Sequence, residues 1–348
     1  MSREIPTDAR RNHFVLNFFA IVLAVAVLYF ARIVFEPVAF MLFAMALVWP
    51  LQSALEARLP KPIALTLTIL AALAVITIFA LAIIWSIGEV GNWTLENTAR
   101  LQTLYTRCTE WLEGYGFVIM DIFKGVDATW LVGPVRAVAS QLSYFVAFSI
   151  IVFLLIMFGL MEFDDFRAKI DSLDSRLHGW SISETSSQIA KKIRTYMLIR
   201  TLSSLVTGLA VFVFTFSMGL ELAAAWGIIS FVLNYIPYIG PLIAVAVPVA
   251  FSMVQFESWQ AVVLLFGGLY LIQFLIGNYL EPLVAGATLE ISPLILLCAF
   301  FFWDFLWGIP GAFIGLPVTI ALFTICEQNP STRWIAKLLA TPRGKLGS

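Results

Sequence analysis

Two acidic residues stand where an apolar chain has little reason to place them. Glu281 follows a long hydrophobic run in GNYLEPLVAG, and Asp304 lies inside FFWDFLWG. A carboxylate within hydrocarbon costs at least ~2.5–3.5 kcal/mol on insertion scales, so it normally faces a cavity, a partner or a ligand. Such a group can take up and release a proton or hold a cation, which is the chemistry of coupled transport. A buried hydrogen bond or a position nearer the membrane surface would also account for Asp304. For Glu281, beside Asn278 and Pro282, capping at the interface competes with ion contact. The uncharged candidates are Asn234 and Tyr235 in NYIPYIGP and Gln273 in the next span. Asn234 and Tyr235 could contact a substrate or satisfy freed backbone groups, and Gln273 could bond across helices for stability alone. Pro237, Gly240 and Pro241, then Pro310, Gly311, Gly315 and Pro317, are the types that interrupt helices, and they would shape a site more than touch its ligand.

These residues belong to a membrane protein. Of 348 residues, 61% are hydrophobic and only 12% charged, and mean hydropathy is +0.93, far from the composition of soluble domains. With a net charge of -1, there is no basic excess for nucleic acid. Cys108, Cys298 and Cys326 have no C-x-x-C spacing, and His13 and His178 are the only histidines, so neither a disulfide framework nor a metal site is expected. H-E-x-x-H, G-x-S-x-G and the Walker A loop are absent, and Asp304 has no second intramembrane aspartate for an aspartyl protease. No enzyme activity and no cofactor are therefore expected, and transport would run on an ion gradient or downhill.

The elements that must position the candidates follow from hydropathy. A polar tail, 1–13, precedes three transmembrane helices within 14–87, the first over 14–35 and the second opened by Pro37. Residues 88–141 mix charges with aromatics, and Leu101, Leu104, Tyr105, Cys108, Trp111 and Leu112 share one face of an amphipathic helix. A fourth span covers 142–162. The linker 163–200 is polar, with a capping box at Ser181 and Glu184 opening an amphipathic helix over 183–200. The transport core is 201–327 and a basic tail is 328–348. The basic residues of both tails, of 56–61 and of 162–200 favour the cytoplasm, which puts both termini inside and 88–141 outside.

Within the core, a plain span (201–218) precedes an apolar stretch (222–253) broken centrally by NYIPYIGP. A second plain span (259–276) precedes another stretch (293–326) broken by GIPGAFIGLP. Each broken stretch is either one kinked span or a re-entrant hairpin. The centrality of the breaks favours hairpins, which would make the C-terminal half an inverted repeat of span plus hairpin. The expected fold is all-α and polytopic, with about eight membrane segments.

NYIPYIGPLIAVAVP, GNYLEPLVAG, ISPLILL and GIPGAFIGLP, in that order, resemble the C-terminal signatures of the autoinducer-2 exporter family of bacterial transporters. The resemblance implies a homo-oligomeric inner-membrane protein, embedded in lipid, that moves a small molecule or ion. It does not imply one substrate, since some relatives export the quorum-sensing signal and others are linked to sodium/proton exchange. Asp304 and Glu281 depart from residues usual in that family. The expectation is a secondary transporter exporting a small polar metabolite or signal, coupled to protons or sodium; a sodium/proton antiporter, a passive channel and a scaffold are the alternatives.

Overall fold

Long runs of Leu, Ile, Val, Phe and Ala without breakers can satisfy their backbone in lipid only as helices. The computed structural model describes residues 7–103, 106, 129–174, 181–256, 258–281 and 291–340, and its regular elements there are helical. They are α1 (Thr7–Phe30), α2 (Arg32–Glu56), α3 (Lys61–Glu96), α4 (Thr129–Asp174), α5 (Ile182–Ser217), α6 (Ala223–Leu233), α7 (Ile239–Gln255), α8 (Trp259–Leu275), a π turn (Ile276–Leu280), α9 (Pro293–Gln328) and α10 (Arg333–Leu339). Among the described residues six helices are long and apolar enough to cross a membrane, and the apolar parts of α1, α6 and α7 are shorter.

Several boundaries differ from the hydropathy reading. Between α1 and α2 the interruption falls at Ala31, not at 35–37, and backbone bonds pass through it (Ala31 N to Val27 O, 2.9 Å; Phe35 N to Ala31 O, 3.1 Å). The two helices thus succeed one another through a single turn residue. Helix α3 continues past 87 to Glu96 because Trp93 is buried and anchored there. The amphipathic segment 183–200 and the span 201–218 form the single helix α5, since no breaker separates Arg200 from Thr201. Its N-terminus has the expected cap, with the Glu184 amide donating to Ser181 Oγ at 3.1 Å. The amphipathic face of 101–112 lies largely outside the described residues.

The chain divides into two compact units. One comprises Ala46–Phe153 and Ser186–Glu290. In it α6 and α7 fold back on each other. Trp226 packs on Phe251 with ring centroids 5.0 Å apart, the Glu221 amide donates to Gln255 Oε1 (2.8 Å), and Gln255 Nε2 donates to Gly219 O (2.8 Å). The break is therefore a hairpin, closed at its base by Gln255. Trp93 of α3 joins this base, donating through Nε1 to the Glu221 carboxylate and packing 4.1 Å from the Phe251 ring. Helices α5 and α6 meet through glycine: a Cβ on Gly208 would lie 2.8 Å from Gly227 O, and one on Gly227 would lie 2.9 Å from Gly208 O. Such small-residue seams let backbones approach where lipid offers no hydrophobic driving force.

The second unit comprises Met1–Met45, Leu154–Thr185 and Ile291–Ser348. Its α9 reverses at Gly308 (φ 65°, ψ -146°), giving arms 293–307 and 309–328. Trp303 Nε1 donates to Thr319 Oγ1 at 3.0 Å, a contact a continuous helix could not make because those positions would be about 24 Å apart. The second broken stretch is thus also a hairpin. Tyr29 stacks on Phe305 and Trp307 Nε1 donates to Leu28 O (3.2 Å), tying α1 to the first arm.

The two hairpins use one device. At each turn a residue with positive φ, Tyr238 (63°) or Gly308 (65°), redirects the chain. A glycine then slides over the last carbonyls of the first arm: a Cβ on Gly240 would overlap Leu233 O, and one on Gly311 would overlap Trp303 O. Gly240→Ala and Gly311→Ala should each destabilise the detergent-solubilised protein by roughly 1–3 kcal/mol through overpacking. Gly267→Ala, where a Cβ meets nothing within 4 Å, should be neutral or stabilising. Thermal unfolding midpoints distinguish these outcomes, and equal behaviour at all three positions would show that the close approach is unimportant.

Candidate functional site

Helix α5 carries a polar stripe at helical spacing: Tyr196, Arg200, Ser203, Ser204, Thr207 and, after Val211, Thr215, all buried. Thr207 and Thr215 donate to carbonyls of their own helix, Ser203 O (2.8 Å) and Val211 O (2.7 Å). Ser204, with its near neighbour Thr201, faces the tip of the first hairpin. Asn234, 2% exposed, donates through Nδ2 to Ser204 Oγ at 3.2 Å, and the Tyr235 hydroxyl donates to Thr201 Oγ1 at 3.0 Å. Phe79 of α3 closes the far side, with its centroid 5.9 Å from the Tyr235 ring and 5.7 Å from that of Phe231.

One turn below lies the charge. Arg200 Nη1 donates to Glu281 Oε1, with the arginine side chain 10% exposed and the carboxylate 26%. Tyr196 is within hydrogen-bonding reach of the same guanidinium, and Tyr238 lies within electrostatic range of it. Glu281 reaches it because α8 ends in the π turn, where the Glu281 amide bonds to Ile276 O and one extra residue rotates the chain beyond it. Arg200 Nε and Ser203 Oγ are buried without a partner.

Helix α3 gives the depth of this cluster. Phe79, at the tip, lies inside its apolar run 62–87, and the rise from Phe79 to Trp93 at the hairpin base is about 21 Å. The tip, whose Tyr235 bonds to Thr201 next to Arg200 on α5, is therefore level with apolar chain on α3.

The structure thus brings together Asn234, Tyr235 and Glu281. Pro237 and Gly240 are buried in the turn and Pro241 opens α7. The turn's amides are largely spent on one another: Tyr235 N to Val232 O (3.2 Å), Ile236 N to Leu233 O (2.8 Å), Ile239 N to Pro237 O (2.7 Å) and Gly240 N to Ile236 O (3.1 Å). Side chains, more than unwound backbone, are what the tip presents. Gln273 Nε2 is buried with no partner, whereas Asn278 is exposed and donates to Phe274 O (3.0 Å). Asp304, Pro310, Gly315 and Pro317 belong to the other unit. Pro310 opens the second arm, Gly315 lies against Trp303, and Pro317 is buried beyond it. Asp304 is exposed between Phe301 and Phe305 and has no hydrogen-bond or ion-pair partner among the described residues. Arg200, Tyr196, Thr201 and Ser204 were assigned no role from the sequence. The signal was the polar stripe on α5, hidden by reading 183–200 and 201–218 as separate elements.

A polytopic helical protein with paired broken-helix hairpins and a charged cluster at a hairpin tip has the build of a membrane transporter. The chain belongs to the AI-2E family of transporters, whose model matches residues 18–330. A Borreliella burgdorferi protein provisionally named a transport protein is 37% identical over 180 residues, covering 51% of this chain and 50% of the relative. The AI-2 transport protein TqsA of Escherichia coli K12 is 29% identical over 202 residues, 58% of each chain. A Haemophilus influenzae protein, also provisionally named a transport protein, is 32% identical over 168 residues, covering 45% of this chain and 48% of its own. The chain thus spans about half the length of the curated relatives it matches.

Removing one partner of a buried ion pair leaves an uncompensated charge and costs roughly 3–5 kcal/mol, whereas replacing both by apolar groups is often neutral. With Glu281 partly exposed, Arg200→Met and Glu281→Met should each destabilise toward the lower end of that range. The double variant should recover most of the loss. Unfolding curves in detergent measure this, and additive losses would mean the two groups do not act as a pair.

Proposed function

We propose that the chain is a secondary transporter in which the tip of the first hairpin forms part of the path for a small polar solute. The observation that carries this is the buried Arg200–Glu281 pair, ringed by hydroxyls and next to a tip level with the apolar run of α3. A scaffold gains little from charges at that depth, because a well-packed apolar core is usually as stable. The TqsA relative is named for AI-2 transport, so an autoinducer-2-like signal or another small polar metabolite is the cargo to test first. Its movement across the membrane would be coupled to a proton or sodium gradient, with Glu281 as the carboxylate held by a counter-ion and Asp304 as a second, unpaired one. The basic segments of the sequence support a bacterial inner-membrane location with both termini cytoplasmic.

Purified protein in liposomes, with imposed proton or sodium gradients and a panel of small metabolites, tests the reading. Solute movement should follow the gradient, and Asn234→Ala should lower the rate about tenfold, the loss expected for one hydrogen bond at a binding site. Asp304→Asn should abolish gradient-driven accumulation while leaving downhill exchange, if Asp304 carries the coupling. Gradient-independent flux through wild-type protein would instead identify a passive channel.

A further inference from the structure

An arginine presents two bidentate edges, one through both terminal nitrogens and one through Nε and its neighbour. In Arg200 the Nη1 end is taken by Glu281, while Nε is buried without a partner. Arg200 is 8% exposed, so that donor is turned away from bulk solvent and toward the site. Buried unpaired polar groups are rare enough in folded proteins to require a cause. One turn along α5, Ser203 Oγ, 1% exposed, is likewise unpartnered, the Tyr196 hydroxyl is within hydrogen-bonding reach of the guanidinium, and Tyr238 lies within its electrostatic range, a surrounding rich in donors. Its charged acceptor, Glu281, is already engaged. The open side is also defined: Tyr238 is 47% exposed and Glu281 26%, whereas Arg200 and Tyr196 are buried. The arginine is thus the fixed partner and the glutamate the one that can leave.

We infer that the Nε edge of Arg200 binds the carboxylate of a small organic anion, with Glu281 as its exchangeable counter-ion. This rests on the reading of the hairpin tip as part of the transport path. When the incoming carboxylate takes the guanidinium, Glu281 loses its counter-charge while Arg200 and Tyr196 remain the groups that face it. It then takes one proton from water on the open side, carboxylate to carboxylic acid, so anion and proton load together and the site's net charge is unchanged. A second carboxylate beside an occupied arginine favours the protonated form for the usual like-charge reason.

Succinate and lactate, with succinamide as the uncharged control, can be titrated calorimetrically into the full-length protein in detergent. Both anions should bind saturably and succinamide should not, and binding in weak buffer should draw about one proton per anion from solution. Glu281→Gln, which frees the arginine, should bind succinate about tenfold more tightly and without proton uptake. Arg200→Lys, which keeps the charge but loses the fork, should weaken binding by at least about tenfold. If Arg200→Lys fails to fold, wild-type proton uptake and the Glu281→Gln gain decide the matter. Equal binding of succinamide, absence of proton uptake, or weaker binding by Glu281→Gln would overturn the inference. Transport of other solutes in liposomes with no carboxylate binding would sink the inference and leave the transporter reading. Carboxylate binding without transport of any solute would do the reverse.

Discussion

A helix interrupted within hydrocarbon must find partners for its freed backbone groups, because lipid supplies none. In the first hairpin that constraint is met inside the turn, through short-range bonds from Tyr235, Ile236, Ile239 and Gly240. The tight turn in turn demands Tyr238 at positive φ and a glycine at 240, since a side chain there would strike Leu233 O. Everything else in the unit accommodates the folded-back pair. The Gly208–Gly227 seam lets α5 lie against it, Gln255 closes its base, and Phe79 packs beside its tip.

Because the backbone is self-sufficient, the polar side chains at the tip are released for other work. Asn234 and Tyr235 bond to hydroxyls on α5 instead of repairing their own turn. They thereby hold the hairpin tip one helical turn from Arg200. The π turn brings Glu281 to the same guanidinium from α8. Three separate elements thus converge on one charge. Strain is accepted at Leu222 and Tyr238, the non-glycine residues with positive φ among those described, which bracket the hairpin at its base and its tip.

Both breaks were legible in the sequence, since proline and glycine at the centre of an apolar run leave few alternatives. Their hairpin form was not fixed by the same residues. It depends on contacts such as Trp303 to Thr319 and Glu221 to Gln255, which no local pattern encodes. Asn234, Tyr235 and Glu281 could be singled out as candidates because polar residues are conspicuous in such surroundings. Arg200 was passed over because it ends a basic amphipathic segment, where a cation needs no explanation. The π turn hid its pairing with Glu281, because an inserted residue shifts the helical phase that periodicity arguments assume. Helix ends failed for a different reason: α3 outruns its apolar stretch because Trp93 has a tertiary partner, not because of local propensity.

The separation of 81 positions between Arg200 and Glu281 also bears on how the protein is made. At the usual pace of synthesis, about 5–20 residues per second, the arginine exists for roughly 4–16 s before its carboxylate has been polymerised. Throughout that interval the guanidinium lacks the counter-ion that holding a charge at such depth requires. The pair can close only after α8 and its π turn have been made, so the arrangement around Arg200 is among the late contacts of this unit to form.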